Sequence, residues 1–254
     1  IARDRGRRRH THLALGRAMA ARYRDGDLDW VFDAAQHLAA AGDASSDPAE
    51  RLSVARLHAE AGEQAREAAA FPLAFQCFEA GRSFLPAGAW DDHYDLALQL
   101  HAGAAQAAYL CAEWDVVTAR IADLKAHARS VMDQLVAWEV ELDAFAGRHE
   151  YLAAVDAGLK ALSLLGLELP ADPGEAEVGA AVTTTLSKLV AIGPAGLMAL
   201  GDLDDEKVAA ITRVQVRLSP AAYFGRPMLL SIIASNLVNT SIDRGLTNAT
   251  PYAL

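Results

Sequence analysis

The chain has 254 residues, 52% of them apolar but only 7% aromatic, with a net charge of −10. Alanine and leucine supply most of the apolar content and β-branched residues are sparse before Val178, so length and composition predict a large all-α domain or an elongated helical array. Two cysteines, Cys77 and Cys111, exclude a disulfide framework and fit a reducing cytoplasm, and no apolar run approaches the roughly 18 residues of a membrane span.

The first element, near 8–24, closes an arginine-rich start. Eight arginines against one aspartate give residues 1–24 a balance of +7 and leave −17 for the remainder. The cluster is short and the body acidic, which repels phosphate backbones, so it reads as a solvated helix and not as a nucleic-acid arm. "IARDRGRRRHTH" has no apolar core of a signal peptide and no initiator methionine, and "GLTNATPYAL" carries no cap, so the chain reads as a segment of a longer protein.

Further helices are expected near 28–41, 48–69, 71–84, 91–111, 114–129, 131–147, 150–165, 173–191, 204–218 and 227–244. Apolar residues there recur at three- and four-residue spacing, as in Leu135, Trp138, Leu142 and Phe145. Three phrases read as helix openings: Asp47-Pro48 with Glu50, Asp172-Pro173 with Glu175, and Ser219-Pro220. Connections of two to six residues make successive helices antiparallel.

Residues 55–86 fit a 34-residue tetratricopeptide hairpin: Gly62, Ala74 and Gly81 at the small crossing sites, Phe78 at the aromatic site and Pro86 at the end. Cys77 then lies inside the second helix as a small core residue, with no group nearby to lower its pKa. Looser units follow, with Trp114 and Tyr151 at equivalent inter-helix turns. After Gly166 the rhythm changes. "AIGPAGLMALGDLDDE" reads as a Gly/Pro-punctuated connector, and Asn236 and Asn239 in the last helix suit hydrogen bonds to a neighbouring helix.

The motifs of phosphate cradles, dinucleotide sites, zinc proteases, nucleophile elbows and EF-hands are all missing. The expectation is a non-enzymatic segment with no catalytic, cofactor or metal residues, which presents a concave surface to a protein partner. If the first helix of each hairpin lines that surface, it carries Arg56, Glu63, Arg66, Gln99, Gln106, Tyr109, Glu139 and Asp143. A clamp for a C-terminal carboxylate would need a basic residue and an asparagine where Ala59 and Glu63 stand.

The phrases "FDAAQHLAAAGD", "ERLSVARLHAEAGEQAREAAAFPLAFQCFEAGRSFLP", "WDDHYDLALQLHAGAAQAAYLCAEWD", "ALSLLGLELPADPGEAEV" and "LSPAAYFGRPMLLSIIASNLV" cover most of the chain in order. Together they resemble the helical middle region of large bacterial signalling proteins, which combine a serine/threonine kinase, an AAA-type ATPase and often a sensor histidine kinase. The resemblance implies a TPR-like superhelical solenoid of antiparallel hairpins. Residues 1–46 would be a helical linker after an absent ATPase domain, 47–166 the hairpin repeats, and 167–254 a continuing helical region cut short. It implies a cytoplasmic regulatory or interaction segment, contacting its own ATPase and kinase domains or a partner protein, with the catalytic sites elsewhere. A stand-alone adaptor that binds a peptide in its groove is the alternative.

Overall fold

The computed structural model describes residues 2–24, 30–42 and 47–246, and the protein is all-α. The expected start of the second helix at 28 and the closing "TNATPYAL" lie outside the described residues. The chain divides into two compact units, Ile1–Ala128 and Arg129–Leu254. The division falls inside the 47–166 stretch expected as one block of repeats.

In the first unit, α1 (Ala2–Arg24) pairs with α2 (Val31–Ala41), α3 (Pro48–Glu67) with α4 (Phe71–Ser83), and α6 (Tyr94–Leu110) with α7 (Trp114–His127). A short α5 (Ala89–Asp92) precedes α6 and is broken from it at His93, so the single helix expected near 91–111 is two. α3 opens as its sequence predicts: Asp47 accepts a hydrogen bond from the Ala49 N–H at 3.1 Å and Pro48 occupies the first turn. Phe78 is fully buried at the centre of the core. A Cβ at Gly62 on α3 or at Gly103 on α6 would stand 2.7 or 2.5 Å from its ring, so the two glycines let both helices close on one phenylalanine.

In the second unit, α8 (Val131–Gly147) pairs with α9 (Tyr151–Leu164), and α11 (Glu206–Gly225) packs on α9 and on α12 (Pro227–Arg244). Ser130 and Asp133 form a reciprocal capping box at the start of α8. Between the α8–α9 hairpin and α11 the chain inserts α10 (Glu175–Met198), which packs on α12. Leu246 then returns to the loop after α10, exchanging backbone hydrogen bonds of 2.8 Å with Gly201 and Leu203.

Two expected boundaries move. α10 begins at Glu175 with Gly174 as its cap, because the Glu177 carboxylate accepts from the Gly174 N–H at 2.8 Å, so Asp172 does not cap it. The break expected after 191 is present: Gly193, at φ 62° and ψ 173°, leaves the helical conformation, and Pro194 opens a short further helical stretch that ends at Met198. α11, by contrast, continues through Pro220; Ser219 does not cap a new helix but donates back to the Gln215 carbonyl at 2.8 Å. By length and composition α10 could cross a membrane, although no such run was expected. Its alanines, valines and leucines are interrupted by threonines and Lys188, so it does not read as one apolar run.

Three of the hairpins share one turn. Ala69, Ala112 and His149 stand at φ 56°, 59° and 63°. The next residue's N–H reaches back across the turn in each case: Ala70 to Ala65 O at 2.8 Å, Glu113 to Ala108 O and Glu150 to Phe145 O at 2.9 Å. An aromatic residue, Phe71, Trp114 or Tyr151, then opens the second helix.

Candidate partner-binding groove

In the first unit the exposed face of α3 borders two hollows that meet at Arg56 and Glu60. The first, about 290 Å³, lies between α1 and α3. Arg17 grips both oxygens of Glu50 there, at 2.5 and 2.7 Å. Burial, and secondly a hydrogen bond to Glu60, push the Tyr23 phenol above its ordinary pKa, so Tyr23 serves as a neutral donor. Ser53, which also lines this hollow, donates to Ala49 O at 3.0 Å within its own helix.

The second hollow, about 490 Å³, lies between α3 and the α5–α6 junction. Gly88, at φ 83°, makes the tight turn into α5, and the break at His93 brings Asp92, His93 and Tyr94 onto the wall. Asp95 stands in the first turn of α6 and Gln99 one turn further on. Arg56 on one side, and Asp92 and Asp95 on the other, have no ion-pair partner among the described residues. The groove thus presents separated, unneutralised charges of opposite sign, with amide and phenol groups between them. Such a surface suits the backbone and side chains of an extended polypeptide.

The structure brings Arg56 and Gln99 together at this groove. Glu63 and Arg66 pair with each other about two turns beyond Arg56 on α3, at 2.6 Å. Gln106 and Tyr109 lie towards the end of α6, Tyr109 with its ring 6.3 Å from Trp114. Ala59 is buried in the core, so it could not have carried a carboxylate clamp in any case. Glu139 and Asp143 belong to the second unit, where both are engaged. Glu139, 8% exposed, accepts from Arg213 Nε at 2.7 Å, and Asp143 is held by Arg217. Burial, opposed by Arg217, raises the Asp143 pKa. These two pairs tie α8 to α11.

Two features have no signal in the sequence beyond local charge spacing. Glu79 of α4, His101 of α6, and Arg120 and Asp123 of α7 form one network. Arg120 lies 2.9 Å from Asp123 and 3.6 Å from Glu79, and His101 Nδ1 lies 3.3 Å from Asp123. Trp90 packs against His101 and stacks on His127. Only the i, i+3 spacing of Arg120 and Asp123 hints at it. In the second unit, Tyr151 stacks on Phe224 at 4.9 Å, and Tyr223 meets Phe224 edge-on; Tyr223 and Phe224 are exposed. Cys77 is buried, and burial pushes its thiol up to about 11, far from thiolate chemistry at neutral pH.

No protein-family model, curated protein or solved structure matches the chain significantly.

Proposed function

We propose that the chain is a TPR-like helical-repeat interaction segment that holds a stretch of protein in the groove along α3. Its place would be within a larger signalling ATPase–kinase, where it couples the nucleotide-binding and kinase domains to each other or to a partner. The groove carries this reading: two joined hollows with unpaired Arg56 facing unpaired Asp92 and Asp95. Support for the repeat architecture comes from the common turn at Ala69, Ala112 and His149 and from the small residues at the crossings of Phe78. The parentage rests on the sequence resemblance. On this reading the segment does no chemistry itself.

The test is selection of a random peptide library on the purified chain, followed by amide hydrogen exchange with the best binder. Protection should concentrate in α3 and the α5–α6 junction, and the Arg56→Ala, Asp95→Ala double variant should lose most of the affinity. Binders that protect other helices, or that ignore the double variant, would sink the groove assignment. The adaptor reading uses the same groove but predicts no ATPase or kinase motifs in the same reading frame, so sequencing that frame on both sides separates the two.

A further inference from the structure

The two hollows beside α3 differ in what they leave unspent. The first is lined by the buried Leu38, Val54 and Leu57 and by Ala20. Most of its polar groups are engaged within the protein: Arg17 with Glu50, Tyr23 with Glu60, and the Ser53 hydroxyl with Ala49 O. That hollow therefore offers apolar surface and, at about 290 Å³, room for one large side chain. The second is the reverse. Asp92 and Asp95 are exposed and have no ion-pair partner among the described residues. Together with Glu60 they set three carboxylates against one arginine, Arg56, and among the described residues no arginine of α1 lines this hollow.

On the reading that the groove along α3 holds a stretch of protein, we propose that this stretch carries a large apolar side chain and, a short way along, a lysine or arginine. The apolar side chain fills the first hollow. The basic one enters the second, where Asp92 and Asp95 accept from it. Charge makes this choice: with three carboxylates to one guanidinium, the second hollow draws a cation and repels an acidic segment. A segment with no cation there would cover Asp92 and Asp95 without pairing them, which costs affinity. Arg56 lines both hollows and keeps its donors for the main-chain carbonyls of the segment that crosses it. The first hollow lies on the α1 side of α3 and the second on the α6 side. A helix is about 10 Å across and an extended chain advances about 3.3 Å per residue, so the two side chains stand about two to four residues apart.

The test begins with binders selected from a random peptide library on the wild-type chain and located by amide hydrogen exchange. Those that protect α3 and the α5–α6 junction should share a lysine or arginine about two to four residues from a large apolar residue. A double-mutant cycle then isolates the charge contact. Asp92→Asn with Asp95→Asn should weaken the best binder about fivefold, and replacing its basic residue by methionine should cost about as much. The two changes together should cost little more than either alone. Added salt should weaken the wild-type complex and leave the methionine peptide's complex nearly unchanged. A second selection, on the chain carrying Asp92→Lys and Asp95→Lys and shown to be folded by circular dichroism, should return glutamate or aspartate in place of the basic residue. If that variant does not fold, the asparagine pair, which keeps size and shape, decides alone. Binders that protect this groove and depend on Arg56, yet lack a basic residue or carry one that does not couple to Asp92 and Asp95, overturn the ligand assignment and leave the groove standing. Binders that protect other helices overturn both.

Discussion

At the scale of single residues, the first unit depends on positions that accept no extra atom. A Cβ at Gly81 would stand 2.7 Å from Leu100 Cδ2, 2.9 Å from His58 Cβ and 3.2 Å from the Ala55 carbonyl oxygen. The last of these is backbone, which cannot swing aside as a side chain can. Gly81→Leu should therefore cost about 3 kcal/mol or more by urea denaturation, and an unchanged midpoint would show that the helices do not cross there. His58 tests the same core by titration. Both its ring nitrogens are buried without a partner, and its ring stacks on Phe84. Burial lowers its pKa from 6.5 to about 4; burial also lowers His101 to about 4, against the opposing pull of Asp123. A lowered histidine pKa means that the unfolded chain binds the proton first. Stability is thus intact above about pH 6.5, falls as pH drops towards 4, and loses nothing further from these groups below that. Each histidine can contribute up to roughly 3 kcal/mol to the loss. His58→Phe, which keeps the stacked ring and removes the titration, should flatten the slope of unfolding free energy between pH 6.5 and 4 by about half. A slope equal to the wild type's would place the acid sensitivity elsewhere.

The shared hairpin turn makes its argument at the scale of elements. Alanine and histidine at φ near 60° bear a cost that glycine escapes, yet Ala69, Ala112 and His149 all accept it in the same position. The back-reaching N–H bonds and the aromatic residue that follows hold each turn in place. Ala112→Gly should then stabilise the chain by about 0.5–1 kcal/mol, because relief of the left-handed strain of about 1–2 kcal/mol exceeds glycine's extra unfolded-state entropy. Ala105→Gly, inside α6, should lose about 1 kcal/mol or more. Destabilisation by both would mean that the turn residue is not strained. These turns were legible in part: Trp114 and Tyr151 mark two of them, and Gly62, Ala74 and Gly81 mark the crossings of the third hairpin. The path of α11 was not. Gly193-Pro194 is a local break signal that does break α10, whereas Ser219-Pro220 is carried within the longer α11 by its packing on α9 and α12. Glu139 and Asp143 look like open surface in the sequence because their partners, Arg213 and Arg217, lie 74 residues away, and no local spacing announces such a pair.

For the whole molecule, the decisive feature is two separate cores. One gathers residues from Leu13 to Ala107 around Phe78 and Leu100; the other gathers residues from Leu135 to Leu237 around Leu142, Leu162, Leu218 and Ile233. Among the described residues no buried side chain belongs to both, and apolar burial is the main source of cooperativity within each. Unfolding should accordingly proceed in two steps that can be shifted one at a time. Gly158 on α9 is the second unit's counterpart to Gly81: a Cβ there would meet Leu218 Cδ1 at 2.7 Å and Leu142 Cδ1 at 2.9 Å. Gly158→Leu should lower the transition of the second unit and leave the first in place, and Gly81→Leu should do the reverse. Tryptophan supplies the readout, since Trp30, Trp90 and Trp114 belong to the first unit and Trp138 to the second. A chain keeping Trp138 alone reports one core by fluorescence while circular dichroism reports both. If the two probes coincide, and either glycine substitution moves them together, the units unfold as one and the separate cores are not separate in stability. If the probes part, each unit is a folding unit in its own right, and variants of the α3 groove can be interpreted without fear that they act through α10.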